Sequence, residues 1–142
     1  MSLASRLLVW GSFVMGLASC AQYGAPASPP ALELANPAST RCVGLGGELS
    51  IETMGNGDAY GVCVFEDNRQ CEEWALFRGD CPEGGREVTG LGTRGARLCV
   101  ILGGRYTVTA EATRAAAEQG ACALPSGAHC EAGELEAGRC PR

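Results

Sequence analysis

Eight of the chain's nine cysteines form two sets with one spacing, at 42, 63, 71, 81 and at 99, 122, 130, 140. The last three of each set correspond at a constant offset of 59 (63 to 122, 71 to 130, 81 to 140), with steps of 8 and 10. The first members are offset by 57 (42 to 99), so the second copy carries two extra residues in one loop. Other residues keep the same frame. Cys42-Val43-x-x-Gly46-Gly47 matches Cys99-Val100-x-x-Gly103-Gly104, and Gly61-Val62-Cys63 matches Gly120-Ala121-Cys122. Cys81-Pro82 matches Cys140-Pro141, and Gly79 matches Gly138. Chance supplies one such agreement but not the set, so the chain reads as a tandem duplication of a module of about 50 residues.

Such a pattern in an exported chain is a disulfide framework. A zinc site would need reduced thiolates, and its usual Cys-x-x-Cys knuckles are missing, so no metal is assigned. A module of this size has a marginal apolar core by itself. Each bridge contributes about 3 kcal/mol in the chain-entropy model, so two per module decide whether it folds.

Export is read from the start of the chain. Leu7 to Leu17 is an apolar run of 11 residues, the length of a signal-peptide core and too short to span a bilayer. It ends in Leu17-Ala18-Ser19-Cys20, which resembles a bacterial lipobox. That resemblance implies a signal peptide over 1–19, cleavage before Cys20, and lipid on its thiol and new amine. Several acyl chains make a stable anchor. Ala21, in place of Asp, resembles the sorting signal of outer-membrane lipoproteins, and the protein is expected to face the periplasm. Residues 20–35 are rich in Ala, Pro and Ser and read as a tether, at most roughly 45 Å long when extended. The folded part is expected from Asn36, as a first cysteine-rich module over 36–85 and a diverged second over 93–142.

Within the first module, Asn36-Pro37 is a helix-start signal and Gly46-Gly47 a stop. Glu48 to Glu52 alternates polar and apolar like a half-buried strand, as does Arg105 to Thr109. Gly55-Asn56-Gly57 is a turn, Tyr60 to Phe65 a second strand, and Glu66-Asp67-Asn68 leads to a helix over about 72–78. Glu72 and Glu73 in its first turn and Arg78 in its last suit the helix dipole, and Gly79 ends it. The expected fold is α+β: two small disulfide-stapled modules, each helix-strand-strand-helix around a two-stranded antiparallel hairpin. Trp74 and Phe77 share a helix face and are expected in the module core. Their counterparts are Gly133 and Glu136, so the second module is expected to be less well packed. Its Ala- and Glu-rich segment from Ala110 to Gln119 reads as helical.

Charge and composition narrow the function. The chain has 11 Arg or Lys (all Arg) against 16 Asp or Glu, a net −5 with no basic block, which speaks against nucleic acid. Residues 36–85 carry −6 (3 Arg, 9 acids) and 86–142 carry +1 (7 Arg, 6 acids), so if the acidic first module carries recognition, capture is expected to weaken with salt and on neutralising Glu72 and Glu73. The single His, His129, reads as a surface residue beside Cys130. Ser39 and Ser126 lack a nucleophile motif, and no acid–base constellation is evident, so no enzyme and no cofactor are expected. Glu66, Asp67, Glu72 and Glu73 are explained by a turn and a helix start without a cation. The candidate binding residues are Glu72, Glu73, Trp74, Phe77 and Arg78.

Asn36-Pro37-Ala38-Ser39, Cys42 with Gly46-Gly47, Gly61-x-Cys63 and Cys71-Glu72-Glu73-Trp74-Ala75-Leu76-Phe77-Arg78-Gly79-x-Cys81 resemble a small bacterial lipoprotein domain, domain of unknown function 333. Its members often carry a hemolysin label. Residues 97–141 look like a diverged second copy without the opening Asn-Pro or the tryptophan helix. The resemblance implies pairs 42–63 and 71–81, and by repetition 99–122 and 130–140. An intact helix over 72–79 would be about 12 Å long, so Cys81 must fold back or the helix must be shorter. The rival pairing is 42–81 with 63–71.

The expected function is a non-catalytic, lipid-anchored envelope protein that presents its modules to an envelope protein or cell-wall polymer. A small protease inhibitor is one alternative, with Phe65 to Arg69 as its only candidate loop. Membrane lysis is the other. It fits poorly, since strands of about five residues are shorter than the 9–11 of a membrane barrel.

Overall fold

A computed structural model describes residues 36–141. The segments expected to be a signal peptide and a tether, and the expected lipidation site Cys20, lie outside the described residues.

Helix α1 (Pro37–Gly44) begins as its sequence directs: the Asn36 Oδ1 accepts the Ala38 amide at 3.0 Å, and Pro37 takes the first helical position. Strands β1 (Glu48–Thr53) and β2 (Ala59–Val64) then pair antiparallel, Glu48 opposite Val64 and Thr53 opposite Ala59. A tight 3₁₀ turn over Glu66–Asn68 follows, with Asp67 and Asn68 left-handed (φ 56° and 57°). It reverses the chain so closely that β3 (Gln70–Glu72) runs back along β2, Cys71 opposite Cys63. Helix α2 (Glu73–Arg78) closes the module, stopped by left-handed Gly79 (φ 85°). The second module repeats the order with α3 (Arg94–Ile101), β4 (Arg105–Ala110), β5 (Gln119–Ala123), β6 (His129–Glu131) and α4 (Ala132–Glu136). The α+β class therefore holds, with three-stranded sheets β1-β2-β3 and β4-β5-β6 where a two-stranded hairpin was expected. A three-residue strand is too short to leave a periodicity in sequence.

The segment from Ala110 to Gln119, expected to be helical, instead ends β4 at Ala110, starts β5 at Gln119 and is an open connection over 111–118. Only one turn forms there, with Thr113 Oγ1 accepting the Ala115 and Ala116 amides at 3.2 and 3.1 Å. Residues 111–117 are exposed, so a helix would have no surface to bury, and a short unburied helix is unstable in water.

The bridges join Cys42 to Cys63, Cys71 to Cys81, Cys99 to Cys122 and Cys130 to Cys140, with Cα separations of 5.6, 5.8, 5.7 and 6.2 Å. The length objection to 71–81 is met in both ways open to it. Helix α2 has six residues, and after Gly79 the chain folds back so that the Cys81 amide donates to the Ala75 carbonyl at 3.1 Å.

The apolar interior lies in two clusters. The smaller belongs to the first module: its four cysteines with Ala75 and Leu76, flanked by Leu45, Leu49 and Phe65. In the larger, Leu98, Ile101, Leu124 and Leu135 of the second module pack with Met54, Tyr60 and Val62 of the first and Val88 of the linker. The expected looser second module is thus corrected. Losing the counterparts of Trp74 and Phe77 removes nothing from its interior, because Leu135, the counterpart of Leu76, fills α4's buried face.

Polar contacts lock the modules together. Arg86 pairs with β3, exchanging 2.9 Å main-chain bonds with Gln70, while its guanidinium donates to the Gly104 and Val100 carbonyls at the end of α3. Arg97 on α3 forks onto the Glu52 carboxylate of β1 and donates from Nε to Gln70 Oε1 at 2.7 Å. Tyr60 donates to the same carboxylate at 2.9 Å. The charge split is therefore in part self-complementary. The Arg97 guanidinium, opposed by desolvation and helped by the Tyr60 hydroxyl, holds the Glu52 carboxyl below its usual pKa. A carboxylate depressed on folding adds stability above its unfolded pKa and loses it as pH falls through the folded value. From about pH 6 to about pH 3, wild type should thus lose about 1–2 kcal/mol more stability than Glu52→Gln. Urea titrations at the two pH values check this.

Candidate functional site

The chemistry-bearing residues gather around α2. Glu72 is the residue before the helix, 5% exposed, and its Oε2 accepts the Ala75 amide at 2.7 Å. Burial pushes its carboxyl above the usual range, against the pull of the Ala75 and Trp74 amides and the Arg78 charge. Glu73 is 6% exposed and points the other way, accepting from Asn36 Nδ2 at 3.1 Å and Ser39 Oγ at 2.5 Å. It ties the start of α1 to the start of α2 across Gly61, where a Cβ would overlap the Glu73 carboxyl. Both carboxylates serve the fold. The expectation that Glu73 binds a partner is corrected, and Glu72 only borders the cleft described below.

Trp74 and Phe77 are corrected in the opposite sense. They are 39% and 44% exposed, with rings edge to face and centroids 5.6 Å apart. Alternation on a six-residue helix does not reveal which side the neighbours cover: Ala75 and Leu76 face inward, Trp74 and Phe77 outward. Arg78 is also exposed and pairs with Asp80 at 2.9 Å. Trp74, Arg78 and Asp80 form one wall of a cleft of about 780 Å³ at the module junction. The facing wall is Leu102, Leu124, Pro125 and Ser126 of the second module, a volume suited to a small-molecule site. Nothing in the sequence marks Leu124-Pro125 as part of a site. Its place opposite Trp74 depends on how the modules dock.

The other candidates do not converge. Glu66 and Asp67 are exposed on the 3₁₀ turn, apart from Glu72 and Glu73, and among the described residues no group of three or more ligand-type side chains is placed to hold a metal. His129 is exposed on β6. The Ser39 hydroxyl is spent on Glu73, and Ser126 Oγ accepts the Ala128 amide at 3.4 Å. The proposed inhibitory loop is tied down: Phe65 packs on the first core cluster, and the Arg69 guanidinium donates to the Gly84 and Gly85 carbonyls. No helix among the described residues is long and apolar enough to cross a membrane.

A family described as a domain of unknown function (DUF333) matches residues 33–80, about a third of the chain, ending at the Asp80 of the cleft. No curated protein and no solved structure matches.

Proposed function

We propose that the chain is a lipid-anchored, non-catalytic binding protein of the cell envelope. In this reading Cys20 moors it to the outer membrane, facing the periplasm, and the stapled modules present the junction cleft. One observation carries the binding role. Of residues 72–78 within the matched family segment, Glu72, Glu73, Ala75 and Leu76 are buried parts of the fold, whereas Trp74, Phe77 and Arg78 are left outside it. Large aromatics half in water cost solvation without adding stability, and an exposed aromatic–arginine group is the usual composition of a recognition anchor. The Leu-Ala-Ser-Cys motif supports the anchor, and the disulfide framework supports an oxidising compartment.

In-cell crosslinking followed by affinity capture and mass spectrometry tests the binding role. Trp74→Ala is expected to lose the wild-type partner at unchanged protein level, since the side chain belongs to neither apolar cluster. Equal capture by both chains would count against the cleft, and an intact mass without lipid at Cys20 would count against the anchor.

A further inference from the structure

We propose that the cleft is one end of a glycan-binding trough that takes a linear amino-sugar polymer, with an uncharged ring against Trp74 and a carboxylate-bearing part toward Arg105. This rests on the binding role above and names its ligand class. The cleft at Trp74 and a second of about 810 Å³ both include Asp80, Leu124 and Pro125, so the two ends of this trough adjoin at those residues.

Its ends differ in chemistry. At the near end the indole is held edge to face by Phe77, so little orientational freedom is lost when the apolar face of a sugar ring stacks on it. Exposed Pro125, backed by the core residues Leu102 and Leu124, offers an apolar contact for an acetamido methyl, while Arg78, Asp80 and Ser126 supply donors and acceptors for hydroxyls. The Arg78 and Asp80 charges offset each other at 2.9 Å, which suits a neutral ring. The far end is lined by Arg69, Arg86 and Arg105 against Asp80 and Glu87, a net excess of one positive charge, and with Arg69 and Arg86 bonded to main-chain carbonyls it is Arg105 that is left for a carboxylate. An extended peptide is the poorer fit. It binds best by adding to a free strand edge, yet β1 and β6 contribute nothing to the lining and β4 only Arg105.

Titration calorimetry on the purified full-length chain tests this, with chitotetraose as the neutral probe and peptide-free peptidoglycan strands as the carboxylated one. Both are expected to bind saturably. Trp74→Ala should weaken both by about tenfold or more and Trp74→Phe by no more than about threefold. Arg105→Ala should weaken only the carboxylated probe, and Ile51→Ser, on the far edge strand, neither. Absence of saturable heat with both probes, or an unchanged Kd in Trp74→Ala, overturns the inference. Trp74-dependent crosslinking to a protein without sugar binding also overturns it, while leaving the envelope-binding role intact. Saturable, Trp74-dependent sugar binding by a chain that proves unlipidated upholds it and removes only the anchor.

Discussion

Reduction of all four disulfides is expected to unfold the described core at room temperature without denaturant. The four closed loops, 42–63, 71–81, 99–122 and 130–140, follow one another without overlap. Their constraints on the unfolded chain therefore act independently. In the chain-entropy model each contributes about 3 kcal/mol, so together they amount to about 12 kcal/mol. A domain of this size has a net stability of about 5–15 kcal/mol, so losing that contribution leaves little or nothing. Far-ultraviolet circular dichroism and amide exchange before and after reduction measure the effect. Retention of both sheets with all eight thiols free would show that the shared core suffices without its bridges. Single-bridge variants should rank by loop length, with loss of 42–63 or 99–122 costing more than loss of 71–81 or 130–140, by about 0.7 kcal/mol.

Glu73→Ala is expected to destabilise the fold by about 2–4 kcal/mol, although a carboxylate on a short helix looks dispensable. It would leave the Asn36 amide and the Ser39 hydroxyl facing a hole over Gly61. The second module shows how the same place is filled without a charge. There Ala132 replaces Glu73, Thr93 replaces Asn36 and Ala96 replaces Ser39, while the Tyr106 ring, from the position of Leu49, lies over Gly120 as the Glu73 carboxyl lies over Gly61. The Tyr106 hydroxyl then reaches Glu118 at 2.8 Å. An aromatic ring packed across a strand glycine is a known way to fill such a gap. Removing every partner of a buried polar group together is far less costly than removing one. Combining Glu73→Ala with Asn36→Thr, Ser39→Ala and Leu49→Tyr should therefore recover at least half of the loss. Equilibrium urea unfolding of the single and fourfold variants decides it. If the fourfold variant is no more stable than Glu73→Ala, the two modules do not solve this packing problem interchangeably.

The contrast between these two sites explains how much was legible in the sequence. The Asn36-Pro37 start, the Gly79 stop and the turn before Tyr60 each act on backbone within a few residues, and they lie where the sequence placed them. Missing from that reading were β3 and β6, formed only because a turn with two left-handed residues lays three residues against a strand already present. Trp74 and Phe77 were legible as a pair but not as exposed. Residue type and spacing report that a helix has an apolar side, and the covering element decides whether that side is buried.

The sequence by itself determined the α+β class and the two disulfide-stapled modules, because these follow from spacing and local backbone preference. Between the two disulfide pairings it left open, only the tertiary structure decided, by shortening α2 and turning the chain at Gly79. It also decided that the modules share a core, that Glu73 is a strut and that Trp74 faces a cleft. Each of these depends on contact between segments distant in the chain, as Arg97 to Glu52 or Leu124 across from Trp74. Such contacts are selected by the total burial and pairing of the folded whole, which no local run of residues encodes.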